Sequence, residues 1–386
     1  MFKVIVDATP ILPKPSGIGF YVANLIATLN TLQAQEDFQL EIAYQPGLKK
    51  WLQGDWSYPY ILAQSAHARV LPLPVRIYNL LLASSFKPAL SWFEKYYGHP
   101  DIVHGTNYSV FPCQHSQNVM SIYDLTFIKY PQYTNSVVKT YSKQIKQCLK
   151  WTDLVLTISE NSKKDIVNYF QVNPDSVYVT PLASQYHADY LVNIDIEQLQ
   201  QRINYNFKQP YLLFVSTIEP RKNLITLIDA FNLLKQNYHI EHNLVLIGQK
   251  GWHYKPIFEH IANSPWNTSI YHLDYLPNEL VALFYKNAEV FVYPSYYEGF
   301  GLPVLEAMTL GAPVITSNTS SLPEVVADAA IKIDPHDATS LAEAILQVIS
   351  DTQLRNQMIE RGQKRAKLYT WEKTAKATIA AYKTLI

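Results

Sequence analysis

Residues 290–306 read VFVYPSYYEGFGLPVLE, and they contain the strongest structural signal in the chain. Val290–Tyr293 is a short apolar run of the kind that predicts a buried β-strand. Gly299 and Gly301 allow a tight turn, and Pro303 suits the first position of a helix, where a missing N–H costs nothing. A buried strand, a glycine turn and a helix in this order predict one crossover unit of a parallel α/β sheet.

Similar units are predicted on both sides of this stretch, because apolar runs alternate with amphipathic segments. The first half has predicted strands at Val4–Asp7, Glu41–Tyr44, Ile102–His104, Asn118–Ile122 and Leu154–Ile158, and a helix at Ser162–Phe170 with Ser159 or Asn161 as its N-cap. The second half has predicted strands at 211–216, 243–247, 270–273, 290–293 and 313–316, and helices at 224–234, 280–286, 303–309 and twice after 338. The alternation predicts two doubly wound α/β domains, which bind ligands at the carboxyl ends of their strands.

The boundary between the two domains is predicted from a change in composition. Residues 184–210 are polar, rich in Asn and Gln and weakly periodic, which indicates a connector with one short helix. We therefore predict domains at 1–184 and 185–370, followed by a helix at 371–386. The total length of 386 residues also exceeds what one hydrophobic core usually serves.

Composition and charge exclude several classes of protein. Lys and Arg together number 32, equal to Asp and Glu, so the chain lacks the basic footprint of a nucleic-acid-binding protein. Its two cysteines form neither a disulfide framework nor a metal cluster, which favours a reducing, cytoplasmic location. No apolar run is long enough for a membrane helix. Residues 71–97 mix aromatic and basic side chains, which fits either a peripheral contact at the inner face of a membrane or an ordinary helix pair.

Two glutamates bracket the glycine turn and are candidates for ligand binding. Glu298 precedes the glycines and can accept hydrogen bonds from sugar hydroxyls, while Glu306 lies in the first turn of the helix and can reach a ribose. The free N–H groups at the helix start suit a diphosphate. The structural alternative is a strand–loop–helix unit in which both glutamates only stabilise the start of the helix.

The stretch 298–306 resembles the E-x7-E motif of glycosyltransferase family 4, the retaining enzymes with the GT-B fold, and within it the mannosyltransferase-like branch. Other segments match the family in chain order: SGIGFY (16–21), SIYDLTF (121–127), VLTISENS (155–162), VSTIEPRKNL (215–224), LGAPVITS (310–317) and SLPE (321–324). The resemblance implies two tandem Rossmann-like domains facing a cleft. It makes 1–184 the acceptor-side domain, 185–370 the nucleotide-sugar domain, and 371–386 a helix returning to the first domain.

The resemblance also assigns roles to individual residues. It implies catalytic roles for Glu298, Lys222, Arg221, Tyr123 and Asp124. It implies acceptor-side roles for His104 and Asn107, although a histidine of the core edge is an open alternative for His104. The donor-binding residues that it implies are Gly17, Gly19, Ser216, Thr217, Gly248, Tyr275, Leu276, Gly299, Phe300, Gly301, Leu302 and Glu306.

Two positions depart from the family pattern. Tyr123 stands where the family has a histidine near the donor sugar, and a phenol cannot act as an imidazole. Ser216-Thr217 stands where many members have Gly-Arg, which removes one basic phosphate contact for which Arg221 is the expected substitute. Arginine offers phosphate a planar fork and lysine a point charge, so Arg221 and Lys222 are expected to replace a metal ion.

The function implied is a retaining hexosyltransferase with a nucleotide-diphosphate-sugar donor, either GDP-mannose or a UDP-sugar. The acceptor is expected to be a saccharide, lipid-linked or small-molecule hydroxyl, and neither a cofactor nor a metal is expected. The alternative is a sugar-nucleotide-binding protein with lost or altered transferase activity, which the two departures motivate.

Overall fold

A computed structural model describes residues 1–12, 17–59, 67–83, 91–133 and 140–386. Ser16 of the glycine-rich segment and residues 84–90 of the predicted membrane-facing segment lie outside the described residues. The chain divides into two compact units. The first contains Met1–Ile128, Ser136–Leu182 and Trp371–Ile386, and the second contains Lys129–Asn135 and Ala183–Thr370.

The first unit is built on a parallel sheet of seven strands in the order β3-β2-β1-β4-β5-β6-β7. The strands are β1 Phe2–Asp7, β2 Phe38–Tyr44, β3 His67–Val70, β4 Ile102–Gly105, β5 Gln117–Ser121, β6 Leu154–Thr157 and β7 Val177–Val179. Its described helices are Gly17–Glu36, Leu48–Leu52, Val75–Ala83, Ser91–Tyr96, the short helix Thr126–Lys129 at its border, Tyr141–Cys148, Glu160–Phe170 and Trp371–Lys383. The central strands are buried on both faces, as a sheet covered by helices requires.

The described part of the segment SGIGFY is helical. Gly17 is the first residue of the helix Gly17–Glu36, and Gly19 lies within its first turn. A Cβ added at Gly19 would lie 2.7 Å from the Pro10 carbonyl oxygen. The glycine is therefore needed where the helix passes close to the chain that leaves β1.

The second unit is built on a parallel sheet of six strands in the order β10-β9-β8-β11-β12-β13. The strands are β8 Tyr211–Val215, β9 Asn243–Ile247, β10 Ile270–Leu273, β11 Val290–Tyr293, β12 Val314–Ser317 and β13 Ile331–Ile333. Its α-helices are Ile196–Gln201, Leu224–Tyr238, Lys255–Asn263, Asn278–Asn287, Leu302–Leu310, Leu322–Val326, Ala338–Ser350 and Thr352–Ala366. The predicted fold class, α/β with two parallel-sheet domains, is confirmed.

The predicted connector 184–210 is packed rather than extended. Its helix Ile196–Gln201 is capped by Asp195, whose carboxylate accepts from the Gln198 N–H at 3.0 Å. Leu199 is buried against Leu280 and Leu283 of the helix Asn278–Asn287. A few well-spaced apolar residues therefore attach this polar segment to the second unit.

The C-terminal helix Trp371–Lys383 belongs to the first unit. Its Thr374 hydroxyl donates to the Pro181 carbonyl at 2.6 Å, and its Trp371 ring lies edge-on to Phe20 at 5.8 Å. Ala375, Ile379 and Tyr382 supply its buried face. No helix of the described residues is long and apolar enough to cross a membrane.

Candidate active site

The loop after β11 holds Glu298 between a central strand and the start of a helix. The helix Leu302–Leu310 begins directly after Gly301, whose φ is +103°. A Cβ added at Gly301 would lie 2.6 Å from Leu322 Cδ2, so both the backbone angle and the space favour glycine. Pro303 takes the second helical position, one later than predicted, because the helix already begins at Leu302.

Glu298 is 8% exposed, and its carboxylate has three partners. Lys222 Nζ lies 2.6 Å from Oε1, and Arg221 Nη1 lies 3.1 Å from Oε2. The Ser295 hydroxyl donates to Oε1 at 2.6 Å. The backbone is also fixed, because the Glu298 N–H donates to the Ser320 hydroxyl at 2.9 Å. The loop therefore presents one buried, ionised carboxylate to two cations.

Both cations come from the turn after β8, a 3-10 helix at Pro220–Lys222. Arg221 donates to Glu219 Oε1 at 2.6 Å and to the Tyr297 carbonyl at 2.5 Å. Lys222 donates to the Tyr293 hydroxyl at 2.7 Å. Arg221 and Lys222 thus join this turn to the Glu298 loop, and both are cations of the kind that stabilise the charge of a leaving phosphate.

The cluster of Glu219, Arg221, Lys222 and Glu298 contains two positive and two negative side chains. Burial alone would raise the pKa of Glu298, but the charges of Arg221 and Lys222 outweigh it and lower the pKa from 4.5 to about 2. Burial lowers the pKa of Lys222, and the Arg221 charge adds to this while the two glutamates oppose it. The cations are therefore held in place before any ligand arrives, which is the preorganisation that electrostatic stabilisation of a leaving group requires.

Glu306, the second glutamate of the motif, has a different environment. It is 6% exposed in the helix Leu302–Leu310, where Gln185 Nε2 donates to Oε1 at 2.9 Å and the Tyr285 hydroxyl lies 3.4 Å from Oε2. Burial raises the pKa of Glu306 from 4.5 to about 7, since neither hydrogen-bonding partner carries a compensating charge. One motif therefore contains an acid that is ionised at neutral pH and another that is close to half protonated.

Most of the other predicted donor-side residues lie on loops that follow strands of the second unit, whereas Gly17 and Gly19 lie in the helix Gly17–Glu36 of the first unit. Gly248 follows β9 with φ of +145°, and a Cβ added there would overlap the Ser216 carbonyl. Thr217 is exposed beside Ser216. Tyr275 is 68% exposed, whereas Leu276 packs against the cluster around Leu280.

Three further donor-side residues surround the helix start itself. Gly299 is buried, and so is the Phe300 ring, which lies edge-on to Tyr369 at 5.6 Å. Leu302 is the first residue of the helix. The ring contact of Phe300 shows that it packs into the unit, so its backbone is the part available to a ligand.

In the first unit, Tyr123 is a packed residue. Its hydroxyl donates to the Thr106 carbonyl at 2.5 Å, and its ring lies edge-on to Tyr21 at 5.3 Å and to Tyr108 at 5.6 Å. Asp124 accepts from the Thr126 N–H at 2.8 Å, at the start of the short helix Thr126–Lys129. Both residues have structural partners in this arrangement, and their catalytic roles stay predictions.

His104 lies in β4 and is fully buried. Its Nδ1 is 2.7 Å from the Tyr382 hydroxyl and its Nε2 is 2.8 Å from the Ser121 hydroxyl. Burial lowers the pKa of His104 to about 3, so the ring is neutral. Both nitrogens are engaged within the core, which favours the structural alternative for this histidine over an acceptor-side role.

Asn107, the other acceptor-side candidate, lines a cavity of about 510 Å³ in the first unit. Its Oδ1 is buried and has no hydrogen-bond partner among the described residues. Asp7, at the end of β1, lines the same cavity, and burial raises the pKa of its carboxyl. A buried acceptor without a donor is costly unless a ligand or a water supplies one, so the cavity suits a molecule with hydroxyl groups.

Several residues of these sites were not among the predicted site residues. Glu219 and Ser295 contact the predicted groups directly, Gln185 holds Glu306, and Asp7 lines the cavity with Asn107. Glu219 and Asp7 carried a signal, since each is a charged residue at the end of a predicted strand or just beyond it. Gln185 carried none, because its partner lies 121 residues away in the chain.

A cluster of buried cations and carboxylates on the loops of one parallel sheet, in a chain with two such sheets, is suited to binding an anionic ligand such as a diphosphate. Comparisons with known proteins identify the family. A model of the family described as glycosyl transferases group 1 matches residues 195–365. The chain is 32% identical over 396 residues to O-antigen chain mannosyltransferase B of Escherichia coli, covering 99% of this chain and all of that protein. The chain therefore belongs to the group 1 glycosyl transferases, and the predicted resemblance to their mannosyltransferase-like branch is confirmed.

Other relatives and solved structures extend the comparison. The MMP alpha-(1->4)-mannosyltransferase of Mycolicibacterium hassiacum is 28% identical over 236 residues, which are 60% of this chain and 54% of that protein. Sucrose-phosphate synthase from Thermosynechococcus elongatus matches 100% of this chain and 99% of its own, with a TM-score of 0.74 and 19% identity. Anabaena HepE in complex with UDP and glucose matches 100% of both chains, with a TM-score of 0.72 and 14% identity. The two structures support the fold.

Proposed function

We propose that this glycosyltransferase is a retaining hexosyltransferase that uses a nucleotide-diphosphate sugar without a metal ion. The observation that carries the proposal is the buried contact of Glu298 with Arg221 and Lys222 at the start of a helix. Two preorganised cations are suited to the charge of a departing diphosphate. Glu298 offers the sugar hydroxyls an ionised acceptor, and Glu306 is the group proposed for the ribose.

The proposed reaction proceeds on one face of the sugar. The acceptor oxygen bonds to the anomeric carbon while the bond from that carbon to the phosphate oxygen breaks. The acceptor proton passes to the departing phosphate oxygen, so no enzyme carboxylate has to act as a nucleophile. Arg221 and Lys222 stabilise the charge that develops on the diphosphate, which replaces the usual task of a metal ion.

GDP-mannose is the donor that we propose first, and UDP-sugars are the alternative. The mannosyltransferase names of the relatives favour mannose, while the HepE complex with UDP and glucose supports the alternative. The acceptor is proposed to be a saccharide hydroxyl, free or lipid-linked, and the cavity beside Asn107 and Asp7 supports a hydroxyl-rich ligand in the first unit.

A transfer assay tests this function. The purified protein would be incubated with GDP-mannose, UDP-glucose and related donors, a panel of saccharide acceptors, and either EDTA or Mg²⁺. The anomeric configuration of the product would be read by NMR. We expect turnover with one donor, no loss of activity in EDTA and a product with the configuration of the donor. An inverted product would refute the retaining mechanism, and loss of activity in EDTA would refute metal independence.

A second candidate function is binding of a sugar nucleotide without transfer. Tyr123 favours it, because its hydroxyl is already bonded to the Thr106 carbonyl and no imidazole stands at that position. Isothermal titration with the same donors separates the two functions when it is paired with the transfer assay. Tight binding with no turnover across the acceptor panel would support the second function and refute the first.

We also propose that the protein acts in the cytoplasm with a peripheral contact at the membrane. The support comes from two exposed apolar side chains of the first unit, Leu80 at 70% and Trp56 at 44% exposure, and from the exposed Arg76, four residues before Leu80. Co-sedimentation with anionic and neutral vesicles tests it. Binding to neither kind of vesicle would refute the membrane contact and leave the transferase proposal intact.

A further inference from the structure

A short segment from the first half of the chain packs within the second unit. Lys129–Asn135 belongs to that unit, although the chain on both sides of it belongs to the first. The structure describes residues 129–133 of it, including the 3-10 helix Pro131–Tyr133. We name residues 129–133 the strap.

The strap contacts two separate loops of the second unit. The Trp252 indole N–H donates to the Tyr133 carbonyl. The Tyr133 ring is nearly parallel to the Tyr296 ring, with centroids 6.4 Å apart and planes at 16°. The Tyr130 ring lies 6.0 Å from Tyr133 and 5.8 Å from Tyr297. The strap thereby joins the turn that follows β9 to the loop that follows β11.

Both loops carry groups of the proposed donor site. The Tyr296 N–H donates to the Arg221 carbonyl at 3.0 Å, and the Tyr297 carbonyl accepts from Arg221 Nη1 at 2.5 Å. Tyr297 directly precedes Glu298. The strap therefore packs against the rings of Tyr296 and Tyr297. These two residues hydrogen-bond to Arg221 and directly precede Glu298 in the chain.

The turn on the other side is linked to the same site. Trp252 follows Gly251, whose N–H donates to the Ile218 carbonyl at 3.0 Å. Ile218 directly precedes Glu219 of the charged cluster. Trp252 is itself 40% exposed, and its indole N–H is held by the strap. Movement of the strap would loosen the loops on both sides of the charged cluster together.

We propose that Tyr133 is a positioning residue for the nucleotide-sugar site, which acts by bracing the Tyr296–Glu298 loop with its ring. This inference rests on the proposed function for its kinetic consequence, although the bracing itself does not. An aromatic pair contributes about 0.5–1.5 kcal/mol, so losing it is expected to change loop opening and donor affinity by about threefold to tenfold. The contacts of Tyr133 in the described residues are with Tyr130, Tyr296 and Trp252, and its hydroxyl is not needed for the ring contacts.

The test compares Tyr133→Ala with Tyr133→Phe, which keeps the ring, and with Trp252→Phe, which loses the indole donor. Tyr238→Ala is the matched control, because Tyr238 is 49% exposed at the end of a helix in the same unit. Hydrogen exchange of the 294–298 backbone reports loop opening. The KM for the donor, the KM for the acceptor and kcat report the kinetic effect, and thermal unfolding reports stability.

We expect Tyr133→Ala to speed exchange and to raise the donor KM, each about threefold to tenfold, with the acceptor KM unchanged. Tyr133→Phe should stay near wild type, and Trp252→Phe should shift exchange in the same direction as Tyr133→Ala. Unchanged exchange or unchanged donor KM in Tyr133→Ala overturns the proposal, and so does a Tyr133→Phe variant as impaired as Tyr133→Ala. If the wild type binds no nucleotide sugar, the proposed function fails by itself, while the exchange comparison still decides whether the strap braces the loop.

Discussion

Replacing Glu298 by glutamine tests the charged cluster directly, because the side chain keeps its size and loses its charge. The pKa of Glu298 falls from 4.5 to about 2 through Arg221 and Lys222, in spite of burial. Each tenfold change in an ionisation constant corresponds to about 1.4 kcal/mol, so the shift corresponds to on the order of 3 kcal/mol of folding stability. Because the pKa is lowered on folding, this stability is present above about pH 4.5 and is lost as the pH falls towards about 2.

At neutral pH we therefore expect Glu298→Gln to lower the unfolding temperature by about 6–12 °C, at about 2–4 °C for each kcal/mol in a unit of this size. At low pH the two proteins should converge. We also expect turnover to fall by about a hundredfold or more, since an ionised contact of the donor site is removed. Thermal unfolding by calorimetry between neutral and acidic pH measures the first effect, and the transfer assay measures the second.

Glu372→Gln is the matched control for this variant. Glu372 forms an exposed pair with Lys376 at 2.6 Å, and such pairs contribute about 0–1 kcal/mol. The control should unfold within a few degrees of wild type and retain full turnover. A Glu298→Gln protein that unfolds like wild type at neutral pH, with turnover within tenfold of wild type, would refute both the electrostatic argument and the assignment of the donor site.

Three further predictions concern residues of the second unit, which contains the candidate donor site. Lys222→Met should reduce turnover by about 100- to 1000-fold, since it removes a cation placed for the leaving group, and a rate within tenfold of wild type in the transfer assay would count against that role. Glu306→Gln should change the pH dependence of stability. Because folding raises the pKa of Glu306 from 4.5 to about 7, the wild type loses folding stability as the pH rises between these two values. The variant has no such group, so calorimetry should show its unfolding temperature rising relative to wild type over that range. Gly301→Ala should cost about 1–3 kcal/mol in denaturant unfolding because of its positive φ and the Leu322 contact, whereas Gly17→Ala, with no atom within 4 Å of the added Cβ, should be neutral.

The alternating pattern predicted most strands of the two sheets, and the strands that it missed share a physical reason. β3, β7 and β13 each have three or four residues and lie at sheet edges. An edge strand has one neighbour and needs fewer apolar residues, so its sequence carries little periodic signal. The short helix of the connector was predicted, but its packing was not, because Leu199 is one apolar residue in a polar stretch and its partners come from a distant helix.

The candidate site was predictable as far as its chemistry is local. The glycine turn, the helix start and the pair Arg221-Lys222 are readable as residues in order. The opposite pKa shifts of Glu298 and Glu306 are not, because each shift depends on which charges reach the carboxylate. Glu298 meets Lys222 across 76 residues, and Glu306 meets the neutral Gln185 across 121. The burial of His104 against Tyr382, 278 residues away, could not be read from either segment alone.

The pairing of His104 with Tyr382 has a consequence for how the chain matures during translation. The first unit needs its last segment, Trp371–Ile386, to be complete, whereas the second unit ends at Thr370. The ribosome therefore synthesises all of the second unit before it synthesises the segment that completes the first unit. Until then the His104 ring lacks the tyrosine that satisfies its Nδ1 inside the core. A chain that stops before Tyr382 therefore leaves the buried His104 imidazole without this partner.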